Sequence, residues 1–337
     1  MLAIMAARKT PPGAPSVGAC RRRAAPKAAP VRETRSGQTV AIIGAGRLGG
    51  AIGRLLSAGS AAGAYRVVAV TGQTTRTAAA AARFIGSGEP LTDVGRAASG
   101  ADIVLITTPD REIGAVCEHI ALGGGFMRGA LVAHASGAGT RALLDAAREA
   151  GALRAVLHPL QSVPDREQGV ALLPGSFFRV EADPGALRRV RALVRALGGV
   201  ELSLPRWKSD PASAALYHAG AVAASNYLVS LLDFAARHLQ ALGADRRQAL
   251  RALLPLAKGT LANLERLGSP QALTGPIARG DVQTIAGHIT ALKQRAPELL
   301  ECYRLLALQT VPLAQELGGL TTQAAEKITR IVRQSQA

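Results

Sequence analysis

Three glycines are spaced Gly44-x-Gly46-x-x-Gly49, directly after the apolar run Val40-Ala41-Ile42-Ile43 and directly before an Ala/Leu-rich stretch of helical character reaching about Ser57. In a strand–turn–helix each of these glycines has a mechanical reason. Gly44 permits the tight turn, Gly46 lets backbone approach a pyrophosphate, and Gly49 lets the helix pack on the strand. The helix start at Arg47 and Leu48 then offers backbone N–H groups and a partial positive charge to phosphate. The ligand this spacing predicts is a dinucleotide. A glycine-rich turn in an Ala/Gly-biased chain is the plainer alternative.

The second apolar run, Arg66–Thr71, has no Asp or Glu at its tip, where a carboxylate would bind the ribose 2′-hydroxyl of NAD. It continues instead as Thr71-Gly72-Gln73-Thr74-Thr75-Arg76. Neutral donors and an arginine able to grip phosphate through two parallel N–H bonds suit a 2′-phosphate. NADP (as NADPH) is therefore expected over NAD, with Thr71 and Arg76 at the 2′ position. An ordinary exposed arginine at a helix start is the alternative for Arg76. Two later strand ends read Thr107-Thr108-Pro109-Asp110 and His134-Ala135-Ser136-Gly137. Ligands of open α/β sheets bind at the carboxyl ends of strands. Thr108, Pro109 and Ser136 are accordingly candidates to line the cofactor, with a plain turn the alternative for Ser136.

Polar residues gather again farther on. Tyr217, His218, Ser225 and Asn226 fall on one expected helix, where His218 and Ser225, seven apart, share a face. Asn226 lies about 80° around from His218 at ~100° per residue, within reach of the same cleft. Thr274–Asp281 forms a turn with Gly275, Pro276 and Gly280 between two helices. Arg279 there is the candidate for a substrate carboxylate or phosphate. Asp281 either holds Arg279 or caps the next helix, and Thr274 could touch cofactor or substrate. His158, before Pro159 at a strand end, could protonate substrate or simply close the cleft. No HxxxH or comparable cluster suggests a metal.

The elements that must position these residues alternate between strand and helix as far as Pro205. Apolar runs recur at 66–71, 103–108, 130–134 and 154–157, with helix-compatible segments at 77–84, 113–120 and 140–149 between them. That alternation predicts a parallel sheet with helices on both faces. Runs at 177–181 and 200–204 flank a helix at 186–197 and should enlarge the sheet. After Pro205 only helices are expected, over 212–242, 246–267, 282–293, 297–317 and 321–333. The fold class is thus an α/β domain with a mostly parallel sheet followed by an all-α domain. The boundaries read as a basic tail over 1–37, a dinucleotide-binding domain over 38–205 and a helical domain over 206–334.

The chain's formal net charge is +17, from 40 Lys+Arg against 23 Asp+Glu in 337 residues. Eight basic residues against Glu33 alone place +7 of it in residues 1–37, whose Pro, Ala and Gly content reads as disordered. Basic residues interleaved with aromatics on one face, the pattern nucleic acid would want, are missing, and aromatics make up only 3%. Cysteines at 20, 117 and 302 offer no pairing framework and no zinc-ligand spacing, so a reducing, cytoplasmic setting is expected. No uninterrupted apolar stretch reaches ~18 residues, so no membrane span is expected.

These motifs together resemble a family in which a Rossmann-like NADP-binding domain is joined to a helical domain of unknown function. The features that carry the resemblance are Gly44–Gly49, His134–Gly137, His158-Pro159-Leu160-Gln161-Ser162, Tyr217-His218 with Ser225-Asn226, and Ala272–Pro276 with Arg279-Gly280-Asp281 and His288. It spans nearly everything from Val40 to about Leu308. More distantly the chain looks like ketopantoate reductases, pyrroline-5-carboxylate reductases and prephenate dehydrogenases. The resemblance implies an NADP-dependent oxidoreductase reducing a small carbonyl or imine acid between the two domains, ketopantoate-reductase-like in its most concrete form. It also implies a homodimer through the helical domain and a small anionic substrate. It casts His218 as general acid/base and Asn226 as the group orienting the carbonyl. A helix-packing histidine is the alternative for His218, and a non-catalytic NADP-binding sensor the alternative for the whole.

Overall fold

The computed structural model describes residues 37–58 and 63–334. Residues 1–36 of the basic tail, Cys20 among them, lie outside the described residues. The first half forms strands β1 (Gln38–Ile43), β2 (Tyr65–Thr71), β3 (Glu89–Leu91), β4 (Ile103–Ile106), β5 (Leu131–His134) and β6 (Leu153–Pro159). Helices α1 (Arg47–Ser57), α2 (Thr75–Ile85), α3 (Val94–Ala98), α4 (Ile113–Leu122) and α5 (Asp145–Glu149) alternate with them. Then come α6 (Arg166–Leu172), β7 (Phe177–Ala182), α7 (Leu187–Ala196) and β8 (Val200–Glu201). The rest is helical: α8 (Pro211–Ala224), α9 (Asn226–Gln240), α10 (Arg246–Leu267), α11 (Val282–Arg295), α12 (Leu300–Glu316) and α13 (Thr322–Gln334).

One eight-stranded sheet has the order β3-β2-β1-β4-β5-β6-β7-β8. Every pairing is parallel except β6 with β7, where Ala155 to Pro159 run antiparallel to Phe178 to Ala182. The chain reverses its direction of travel between β1 and β4, which pair directly. A crevice opens at such a switch point, at the carboxyl ends of the two strands.

The strands are apolar on both faces because both faces are covered. Alternation along β1 sends Val40 and Ile42 into one core and Ala41 and Ile43 into the other, and β4 divides Ile103 and Leu105 from Val104 and Ile106 in the same way. The first core takes Ile52 and Leu56 of α1, Ile85 of α2 and Val190 and Leu193 of α7. The second takes Ile113, Cys117 and Ile120 of α4 with Ala97 and Ala98 of α3. Truncating one of these fully buried isoleucines to Ala removes about 2–5 kcal/mol.

The helical half is built differently. Aspartates start three of its helices: Asp210 accepts from Ser213 N at 2.7 Å, Asp245 from Gln248 N at 2.9 Å and Asp281 from Thr284 N at 3.0 Å. The helix expected over 212–242 is interrupted at Ser225, whose backbone is distorted to φ −117° and ψ −68°. Its hydroxyl donates back to Ala221 O at 2.7 Å, a bond that competes with the helix ladder. Ile285, Ala314 and Ile328 centre a small core of α11–α13, and Phe234 of α9 joins Leu292 and Leu299 in another. Pro211–Gln240 taken together is long and apolar enough to cross a membrane by length and composition, and 6% of its most apolar window is buried. In α10 only Ala249 is buried.

Candidate active site

The turn after β1 is held from three sides. Gly44 sits at φ +85°, a conformation that favours glycine, and a Cβ there would meet Thr108 Cγ2 at 2.7 Å. Its N–H donates to Thr71 Oγ1 at 2.8 Å, and Thr107 Oγ1 donates to its carbonyl at 2.9 Å. From 120 residues away, Arg166 donates to Gly46 O at 3.0 Å and to Ala45 O at 2.7 Å. Arg166 is a residue that sequence reasoning missed, since nothing local marks it. The fixed turn leaves the α1 N-terminus open: Gly46 is exposed, no side chain caps the helix, and Arg47 is exposed beside it. A Cβ on Gly46 would find no atom nearer than 3.9 Å. Thr108 Oγ1 in the crevice is buried without a hydrogen-bond partner. Open N–H groups, free space and an orphaned hydroxyl fit the phosphates of a dinucleotide.

Two of the residues expected at the cofactor have their hydroxyls engaged within the protein. Thr71 is buried, and its hydroxyl accepts from the glycine turn and supports the loop from beneath. Ser136 is likewise buried, donating to Asp110 Oδ2 at 2.6 Å and accepting from Gly139 N at 2.8 Å. It ties the β4 and β5 loops together, as the plain-turn alternative has it. Arg76, by contrast, stands exposed in the first turn of α2, without an ion pair or hydrogen bond among the described residues. Leu48 is half-buried behind the turn, and Pro109 is exposed at the start of the next loop.

The chemistry-bearing side chains meet over the β5 loop. His158 at the end of β6 and His218 on α8 lie with ring centroids 6.3 Å apart, edge to face. Both turn a nitrogen toward Gly137: a Cβ there would meet His218 Nδ1 at 2.5 Å and His158 Nε2 at 2.8 Å. His218 Nδ1 is buried and unpartnered. The other nitrogen of His158, Nδ1, is 2.8 Å from the Tyr217 hydroxyl. These groups line one side of a cleft of about 730 Å³, to which Gln161, Ser225 and Asn226 also contribute. The interrupted helix still delivers His218, Ser225 and Asn226 to one place, with Ser225 Oγ 3.0 Å from the Asn226 side-chain amide.

Beneath the cleft lies Arg179 of β7, fully buried and absent from the sequence-based candidates. Its Nη2 donates to Ser136 O at 3.0 Å and Gly139 O at 2.7 Å. Its guanidinium sits 4.7 Å from the Trp207 ring centroid and 5.3 Å from that of Tyr217. Burial first, then Arg179 and His218, push the His158 imidazole down to about 4. Burial pushes the Tyr217 hydroxyl up to about 12. His134 is held low by burial, with Nδ1 accepting from Ser136 N and Nε2 facing Thr140 O.

Arg279 is not brought to this cleft within one chain. It is exposed, its guanidinium without a hydrogen bond or salt bridge among the described residues, on the turn before α11 that packs near Leu320 and Ala324. Asp281 caps α11 instead of holding Arg279, binding Thr284 through both carboxylate oxygens. The α11–α13 bundle meets α9 at Phe234, eight residues or ~12 Å beyond Asn226. His288 pairs with Tyr303 in that bundle at 2.8 Å.

No curated protein sequence matches the chain. The fold superposes on a Bacteroides fragilis protein designated an NADP oxidoreductase with a TM-score of 0.61 at 20% identity, over 84% of this chain and 99% of that one. A Thermotoga maritima protein gives 0.57 at 20% identity, over 89% and 100%. A pyrroline-5-carboxylate reductase from Coxiella burnetii gives 0.53 at 15% identity, over 89% and 98%. Likeness at these identities is likeness of fold. Residues 23–159 match the Rossmann-like domain family, and residues 176–310 match a domain of unknown function, DUF2520, whose match opens just before β7. The chain thus joins a Rossmann-like domain to a DUF2520 domain.

Proposed function

We propose that this protein is an NADP-dependent oxidoreductase that reduces the C=O or C=N bond of a small anionic acid in the cleft above Gly137. The observation that carries this reading is the convergence of His158 Nε2 and His218 Nδ1 on Gly137. That point lies at the carboxyl end of β5, beside the β1/β4 crevice, where a nicotinamide ring has to reach. The fold likeness to a pyrroline-5-carboxylate reductase supports an imine acid. A 2-keto acid of the ketopantoate kind is the alternative form, resting on sequence resemblance.

Within this reading the α1 N-terminus and Gly46 receive the pyrophosphate, and Arg76 receives the 2′-phosphate. NADPH supplies the hydride when bound. His218 offers its unpartnered Nδ1 to the substrate heteroatom and moves a proton there. The Asn226 amide orients the same group. We also propose that the exposed apolar faces of α9 and α10, including Tyr227, Val229, Leu254 and Leu256, pair with a second copy of the chain. Arg279, remote from its own cleft, would meet substrate across that pairing.

The test is NADPH oxidation with a panel of cyclic imino acids and 2-keto acids. His218→Ala should keep NADPH binding and lose roughly 10²–10⁴-fold in turnover. Tight NADPH binding with no oxidation on any member of the panel would overturn the enzyme reading in favour of a nucleotide sensor.

A further inference from the structure

We infer that Tyr217 and Arg179 are positioning residues that lock His158 in a single neutral tautomer, its Nε2–H directed into the cleft as a fixed hydrogen-bond donor. This rests on the reductase reading for its catalytic consequence, but the tautomer is a property of the free protein.

One proton is shared between the Tyr217 hydroxyl and the His158 ring. Tyr217 O and His158 Nδ1 are 2.8 Å apart, and either could donate. The hydroxyl has one hydrogen and, among the described residues, this nitrogen is its one hydrogen-bond partner. If His158 donated, the hydroxyl hydrogen of half-buried Tyr217 would be left without an acceptor, at a desolvation cost of a kind folded proteins avoid. Donation by Tyr217 leaves nothing unsatisfied on that side. A neutral imidazole accepting at Nδ1 must carry its hydrogen at Nε2. That nitrogen is the one facing Gly137, and His158 itself lines the cleft.

Arg179 holds both halves of the arrangement. Its guanidinium lies against the Tyr217 ring, fixing the phenol, while Nη2 pins the carbonyls of Ser136 and Gly139 that flank Gly137. The charges and rings facing His158 come from four elements: Arg179 on β7, Tyr217 and His218 on α8, His134 on β5 and Asp110 after β4. Arg179, His218 and His134 oppose a second proton on the ring, and Asp110 alone favours one. A ring that stays neutral cannot be the charged acid. It can stabilise developing negative charge on a substrate heteroatom by a preorganised hydrogen bond, which leaves proton delivery to His218.

Histidine ¹⁵N–¹H correlation spectra of the full chain, assigned with His158→Gln, read the tautomer directly. The expected signature for His158 at neutral pH is an acceptor-type Nδ1 and a protonated Nε2. Tyr217→Phe should turn it into a mixture of tautomers and lower kcat by roughly 10²-fold with KM little changed. Arg179→Lys should keep the signature, and Arg179→Met should raise the pH at which His158 takes up its second proton. A doubly protonated ring or an Nδ1–H tautomer in the unaltered protein would overturn the inference, as would a Tyr217→Phe spectrum identical to it. Absence of turnover would count against the reductase reading and leave the spectra able to decide the tautomer.

Discussion

His158 and His218 come from opposite halves of the chain, 60 positions apart in sequence order, yet their rings meet edge to face at 6.3 Å with a nitrogen of each over Gly137. The space between them is there because residue 137 has no side chain. Gly137→Ala would put a methyl group 2.5 Å from one nitrogen and 2.8 Å from the other. The rings, pinned by Tyr217 and by α8, would have to move apart. Overpacking of this kind costs about 1–3 kcal/mol, so the variant should fold with a lowered Tm. NADPH binding should persist while kcat collapses. Unchanged kcat would show that the chemistry lies elsewhere in the fold.

The low position of His158 has a consequence for stability. Its imidazole takes a proton at about 4 in the folded chain, because of burial, Arg179 and His218, against an ordinary 6.5. Between those values the unfolded state binds the additional proton, so folding stability rises with pH through this window. It is fully present above the ordinary value and is lost as pH falls toward the folded one. The full shift corresponds to about 3 kcal/mol. Denaturant midpoints should therefore drop on acidification through this range, and His158→Gln should show a distinctly shallower drop. Identical slopes for the two proteins would show that His158 titrates as it does in solvent.

Some of this was legible in residue order and some was not, for physical reasons. The strands β1, β4 and β5 announce themselves because both faces are buried and the runs Val40–Ile43, Ile103–Ile106 and Leu131–Ala133 are wholly apolar. β3 does not: it is three residues, Glu89–Leu91, largely exposed at the sheet edge. The antiparallel β7 was legible as a strand, but its apolar pattern carries no direction. The glycine turn could be read because its parts are contiguous. Arg166 and Arg179 could not, since each is defined by carbonyls 40 to 121 positions away. The helix break at Ser225 turns on one hydroxyl bonding to the turn behind it, a choice that propensity does not make.

Arg76 supplies a test of cofactor choice. It is exposed, unpaired and set in the first turn of α2, at the tip of a strand that ends without a carboxylate. An arginine–phosphate contact is charge-assisted and contributes about 1.5–3 kcal/mol. Arg76→Ala should accordingly raise the Kd for NADPH by roughly 10–100-fold and leave that for NADH nearly unchanged. Equal losses for both nucleotides would place Arg76 away from the 2′ position.

Arg279 offers a test of the proposed pairing of two copies. It stands on the turn before α11, exposed and outside the cleft that holds His158 and His218. The apolar residues Val229 and Leu256, 70% and 69% exposed, supply a face through which a second copy could bring it there. Val229→Asp with Leu256→Asp should convert a dimer to a monomer in sedimentation analysis and abolish turnover. A finer test co-expresses His218→Ala with Arg279→Ala, each inactive alone. If Arg279 serves the partner's cleft, each mixed dimer contains one cleft with both residues intact and one with neither. Random pairing then restores about one quarter of the unaltered activity. If Arg279 serves its own chain, no pairing unites the two intact residues at one cleft, and the mixture stays inactive.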